Sequence, residues 1–97
     1  MPRGANYKKN KDILKAHKAS FENGWLVKKS TKSGCFCCGK IFDPSEIEEW
    51  VPDRGGETAI CPYCGIDSVL PDNAGYPITE EFLVRMHRYW FGDLPME

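Results

Sequence analysis

Apolar residues recur at helical spacing near both ends of the chain and break into short runs between them. In the stretch Lys11-Asp12-Ile13-Leu14-Lys15-Ala16-His17-Lys18-Ala19-Ser20-Phe21-Glu22, the residues Ile13, Leu14, His17 and Phe21 fall near an i, i+4, i+8 stripe, which predicts a helix. Residues 1–7 read as a frayed terminus, and Asn23-Gly24 as the helix stop. Trp25-Leu26-Val27 is a short apolar patch, followed by a polar connector over 28–34. Asp43-Pro44-Ser45-Glu46 carries the marks of a helix start: an N-cap, a proline in the first turn and a glutamate placed to close a capping box. The pattern predicts a short helix there, with Ile47, Trp50 and Val51 on one face. Asp53-Arg54-Gly55-Gly56 is a turn, Glu57-Thr58-Ala59-Ile60 a brief strand, and Pro71 to Pro77 a turn-rich run. Thr79 caps a last helix with Glu80 and Glu81 in its first turn; Phe82, Leu83, Met86 and Trp90 line one side, and Gly92 ends it.

With 97 residues, the chain has room for one small domain and not for a large enzyme. Its 41% hydrophobic residues exclude a disordered or fibrous chain, yet a domain this size buries only about two-thirds of its unfolded surface. Such a domain calls for a staple, and the five cysteines are the candidates. The N-terminal stretch is polar and basic, with no apolar run suited to a signal peptide, and no segment nears the roughly 20 apolar residues of a membrane span. The expected location is therefore a reducing cytoplasm, where clustered cysteines hold metal rather than form disulfides.

Two C-x-x-C-G motifs carry the strongest chemistry: Cys35-Phe36-Cys37-Cys38-Gly39 and Cys61-Pro62-Tyr63-Cys64-Gly65. Two intervening residues let both thiolates reach one ion from a tight turn, and the glycine suits the crowded end of that turn. Cys35, Cys38, Cys61 and Cys64 are the predicted ligands of one tetrahedral site, with Zn2+ preferred over iron. Cys37 is left over, because only Cys38 precedes a glycine. Four thiolates leave no open coordination position, so the metal is read as structural. His17 and His87 are read as surface or half-buried helix residues, and Asp43, Glu46, Glu48 and Glu49 as a solvated face. With no catalytic constellation elsewhere, no enzyme activity is expected. The fold class that follows is a small α+β domain: a zinc-ribbon-like pair of knuckles with a short inserted helix, flanked by N- and C-terminal helices.

The runs C-F-C-C-G-K-I-F-D-P-S-E-I-E-E-W, C-P-Y-C-G-I-D-S-V-L-P and G-Y-P-I-T-E-E-F-L-V-R-M-H-R-Y-W-F resemble a family of small bacterial and phage zinc-ribbon-like proteins described as "cytoplasmic protein". The resemblance covers residues 35–91. It implies a knuckle pair with a helical tail and carries no activity with it.

Charge divides the chain in two. Residues 1–32 hold nine Lys/Arg against Asp12 and Glu22, a net +7, whereas residues 33–97 hold four against twelve acids, a net −8. The sequence is accordingly read as a basic helical arm, 1–32, and a zinc-binding domain with its C-terminal helix, 33–97. Two binding functions follow. One is a protein partner, bound through aromatics such as Trp25, Trp50 and the Tyr89-Trp90-Phe91 run. The alternative is nucleic acid, bound through Lys8, Lys9, Lys11, Lys15, Lys18, Lys28, Lys29 and Lys32. The pI near 6.1 weighs against the second.

Overall fold

The computed structural model describes residues 11–92; the predicted frayed terminus and the candidate contacts Lys8 and Lys9 lie outside them. Helix α1 (Lys11–Lys18) leads into a one-turn helix α2 (Gly24–Val27). Strand β1 (Ser33–Cys35) then pairs antiparallel with β2 (Ile41–Phe42) on one side and β5 (Val69–Pro71) on the other. A separate hairpin joins β3 (Trp50–Asp53) to β4 (Gly56–Ala59), with Val51 opposite Thr58. Helix α3 (Glu80–Phe91) closes the described chain, with the Thr79 side chain accepting from the Phe82 N–H and Gly92 at its end, as its sequence pattern predicts.

The first helix is shorter than its apolar stripe suggests. Beyond Lys18 the backbone tightens: Ala19 N–H reaches Ala16 O, Ser20 N–H reaches His17 O and Phe21 N–H reaches Lys18 O. The Ser20 hydroxyl also takes His17 O, and Glu22 stands at φ 49, off the helical path. Glu22 is held there from both ends, its N–H on Thr58 Oγ1 and its carboxylate on Gly55 N–H.

The predicted inserted helix is a single 3₁₀ turn, Pro44–Glu46. Its capping box forms as read, Asp43 accepting from Ser45 N–H and Glu46 from Asp43 N–H. It stops at once because Ile47 is extended, and Trp50, Val51 and Pro52 continue as strand β3. Proline inside that run excludes a helix, and Gly55-Gly56 folds β4 back to supply the missing pairing. Ser33 and Gly34, assigned to the polar connector, belong instead to the buried central strand.

Ile13 and Ala16 of α1 share a core cluster with Phe36, Leu70, Leu83 and Met86, so both flanking helices rest on the same apolar layer. Trp90 packs at its edge, half-buried. Gly34 lets α3 come close: a Cβ there would sit 2.8 Å from Ile78 and 2.9 Å from Leu83. A fork–fork ion pair crosses above, Arg85 Nη1 and Nη2 meeting the two Asp12 oxygens at 3.0 and 3.1 Å.

The Arg85 hydrogen bond holds the Asp12 carboxyl below its ordinary 3.8. A depressed folded-state pKa means the contribution is complete above pH 3.8 and fades as pH falls through the lower folded value. Both side chains are over two-fifths exposed, so Asp12→Asn is expected to cost only about 0.5–1 kcal/mol near neutrality and less at pH 2. Paired denaturant titrations at the two pH values check this.

Candidate metal centre

Each cysteine pair folds into the same short turn. In the first, Gly39 N–H donates to Cys35 O, Cys35 N–H donates to Lys40 O, and Cys37 N–H points at Cys35 Sγ from 3.3 Å. In the second, Gly65 N–H donates to Cys61 O, Cys61 N–H donates to Ile66 O, and Tyr63 N–H points at Cys61 Sγ from 3.4 Å. Gly39 and Gly65 take φ 81 and 76, the left-handed conformation that ends both turns and that a side chain would strain.

The two turns face each other across the end of β1. All four sulfurs of Cys35, Cys38, Cys61 and Cys64 lie within 4.8 Å of one another, and the set could hold a metal ion. Cys35 Sγ is 3.6 Å from Cys64 Sγ, and Cys38 Sγ is 3.7 Å from Cys61 Sγ. Those separations far exceed a disulfide bond of about 2.05 Å. They match the edge of about 3.8 Å that a tetrahedron of sulfurs has around an ion at about 2.3 Å. Cys35, Cys38 and Cys61 are buried and Cys64 is half-buried. Cys37, half-buried, is not among the four.

Electrostatics gives the same picture from another side. Burial pushes the Cys35 thiol up to about 12, against the opposing pull of the Ser68 hydroxyl and nearby N–H groups. Burial also raises the Cys64 thiol, and charge on Cys35 adds to the rise. Burial raises Cys61 as well, but the N–H groups of Cys64 and Tyr63, with help from the Cys38 and Cys35 thiols, bring it below its ordinary value. Four thiolates this close cannot coexist bare; a single divalent cation in their midst removes both the repulsion and the desolvation cost.

Three residues around the centre and its core make contacts that sequence reading did not assign, although Asn23 was read as a helix stop and His87 as a surface or half-buried helix residue. Ser68 Oγ, buried, lies 3.0 Å from Cys35 Sγ. His87 is buried, not at the surface, with Nδ1 3.0 Å from Phe36 O; a carbonyl only accepts, so Nδ1 carries the proton and ties α3 to the first knuckle. Asn23, 1% exposed, donates to Ala19 O and Val69 O and accepts from Ala59 N–H, joining three elements. The available signal for Ser68 was a small polar residue directly ahead of the apolar run Val69-Leu70.

Elsewhere the candidates separate. The acidic residues Asp43, Glu46, Glu48 and Glu49 are exposed; Asp43 and Glu46 cap their turn, and Glu46 also accepts from the Tyr63 hydroxyl. Lys11, Lys15, Lys18, Lys29 and Lys32 are exposed, while Lys28 is engaged by the body, 2.9 Å from Glu57 and 4.8 Å from the centre of the Trp50 ring. His17 is exposed against Trp90, the ring centres 4.0 Å apart. Of the aromatics, Trp25 is 62% exposed and Trp50 half-buried. Among the described residues no helix is long and apolar enough to cross a membrane. Comparison with known family models, curated proteins and solved structures finds no match to this chain.

Proposed function

We propose that the chain is a non-catalytic cytoplasmic binding module, its fold stapled by one structural Zn2+ on Cys35, Cys38, Cys61 and Cys64, and its partner a protein. The observation that carries the metal assignment is the pair of sulfur separations, 3.6 and 3.7 Å, between two turns of identical build. Zinc suits a closed set of four thiolates, having no redox chemistry and no geometric demand beyond the tetrahedron. With all four positions taken by protein, the ion has no place for a reacting water, which argues for a scaffold rather than a catalyst. The resemblance of C-P-Y-C-G-I-D-S-V to zinc-ribbon-like bacterial and phage proteins supports the same reading.

Elemental analysis of the purified chain tests the metal directly. One zinc per chain and a colourless solution are expected. A red iron–thiolate spectrum would replace zinc with iron, and a metal-free chain with an unaltered cooperative melt would end the assignment. Ser68→Ala is expected to weaken metal binding by roughly tenfold or more, since the hydroxyl orients and stabilises the Cys35 sulfur. Competition against a chromogenic chelator reads this, with an unchanged affinity counting against the role.

A further inference from the structure

We infer that the groove between α1, α3 and the two knuckles docks an acidic amphipathic segment of a protein partner. The inference rests on the binding-module reading above and names the surface and the chemistry of what it binds.

The groove encloses about 710 Å3, within the range of about 300–1,000 Å3 typical of ligand sites. Its apolar lining comes from all three parts of the fold: Phe21 after α1, Phe36 and Ile66 from the knuckles, Trp90 and Phe91 from α3. Phe36 belongs to the buried core, but Phe21 is 56% exposed and Ile66 40% exposed, so part of this lining is not covered by the chain's own core. The stripe of Ile13, Leu14, His17 and Phe21 explains why. Only Ile13, with Ala16, turns into the core; His17 and Phe21 turn to the groove. The segment from α1 to Phe21 thus leaves apolar surface beside the knuckles that its own fold does not cover, as an interaction site does. The indole Nε1 of Trp90 is covered yet meets no acceptor among the described residues, an uncommon state for a buried donor.

Charge selects the partner. Lys11, Lys15 and Lys18 stand at i, i+4 and i+7 on the exposed face of α1, opposite buried Ile13 and Ala16. Lys18 and His17 form the groove's rim on that side, with Asp67 on the rim from the second knuckle. A helix-forming segment with apolar anchors on one face and Asp/Glu beside them fits floor and rim together. The metal centre holds the floor in place: Ser68 lines the groove and bonds Cys35 Sγ.

Selection of displayed random peptides against the metal-loaded full chain tests the inference. The expected consensus pairs large apolar residues with Asp/Glu. Affinity should fall roughly tenfold or more on Phe21→Ser and on the double change Lys15→Glu, Lys18→Glu, and weaken with salt. Trp25→Ser, at an equally exposed aromatic away from the groove, should leave it unaltered. No enrichment, basic consensus peptides, or indifference to Phe21→Ser overturns the proposal. So does salt-steep binding of a DNA or RNA oligonucleotide that the lysine changes abolish and Phe21→Ser spares, which assigns the face to nucleic acid. Metal content measured on the same samples separates the readings: metal without peptide binding sinks the groove alone, and peptide binding by a chain holding no metal sinks the zinc assignment alone.

Discussion

Stripping the proposed metal from the four-cysteine centre is expected to abolish cooperative unfolding, the largest effect expected of any single perturbation. A structural zinc supplies about 10–16 kcal/mol of folding free energy, against about 5–15 kcal/mol of net stability for a whole domain. The centre also sits where its loss spreads furthest. Cys35, Cys38 and Cys61 belong to a core cluster with Val27, Phe42 and Val69, so the sulfurs are packing atoms as well as candidate ligands. Cys61→Ser is expected to reproduce the effect of a strong chelator. Far-ultraviolet circular dichroism during heating measures both, and a sharp transition surviving in either would refute the zinc staple.

Acidity provides a second signature with a definite sign. Protons compete with metal for thiolates, so the loaded chain loses stability as pH falls. In any fold retained by the metal-free chain, Cys35 contributes in the other direction, on the alkaline side. Its Cys35 thiol keeps its proton up to about 12, whereas the unfolded thiol ionises near 9.0. The raised folded-state value gives a contribution that is whole below pH 9.0 and drains away as pH climbs toward 12.

Asn23→Ala is the second large effect, expected to cost about 3–5 kcal/mol and to lower the melting temperature by roughly 15–30 °C. The side chain is 1% exposed and satisfies three backbone groups on three separate segments: Ala19 O at 2.8 Å, Val69 O at 2.8 Å and Ala59 N–H at 3.0 Å. Truncation removes this partner from all three, Val69 O and Ala59 N–H in the interior and Ala19 O at its edge, which costs more than the hydrogen bonds contributed. Asn23→Asp sharpens the test. It keeps the acceptor for Ala59 but sets oxygen against the two carbonyls, so it should destabilise strongly near neutrality and less in acid. A melting temperature within a few degrees of the parent for Asn23→Ala would show that water or a shifted backbone replaces these bonds.

Asn23 also shows where sequence reading stops. Beside Gly24 it reads as a helix stop, a local role, while its function is to bridge segments 36 and 46 residues away in sequence. Strand β3 escaped for a related reason. The capped turn at Asp43 was legible because its bonds close within three residues. Whether the chain then continued as helix or strand depended on β4 folding back to pair with it, which no local pattern encodes. Phe21 makes the point from a side-chain perspective: periodicity marked an apolar stripe, but which part of it the core covers depends on where α3 and the knuckles lie.

By itself the sequence determined the four cysteines as one set, the two glycine-ended turns, and the last helix with its threonine cap and buried Phe82, Leu83 and Met86. The turns and the helix rest on interactions within a few residues, and the cysteine set on a motif that occurs twice, so local pattern specifies them. The tertiary structure alone decided that Ser33 and Gly34 lie in a central strand, that Ser68 reaches the Cys35 sulfur, that His87 is buried against the first knuckle, and that an apolar groove stays open beside it. Each of those depends on two segments distant in sequence meeting at a set distance, and the free energy that brings them together belongs to the packed whole rather than to either segment.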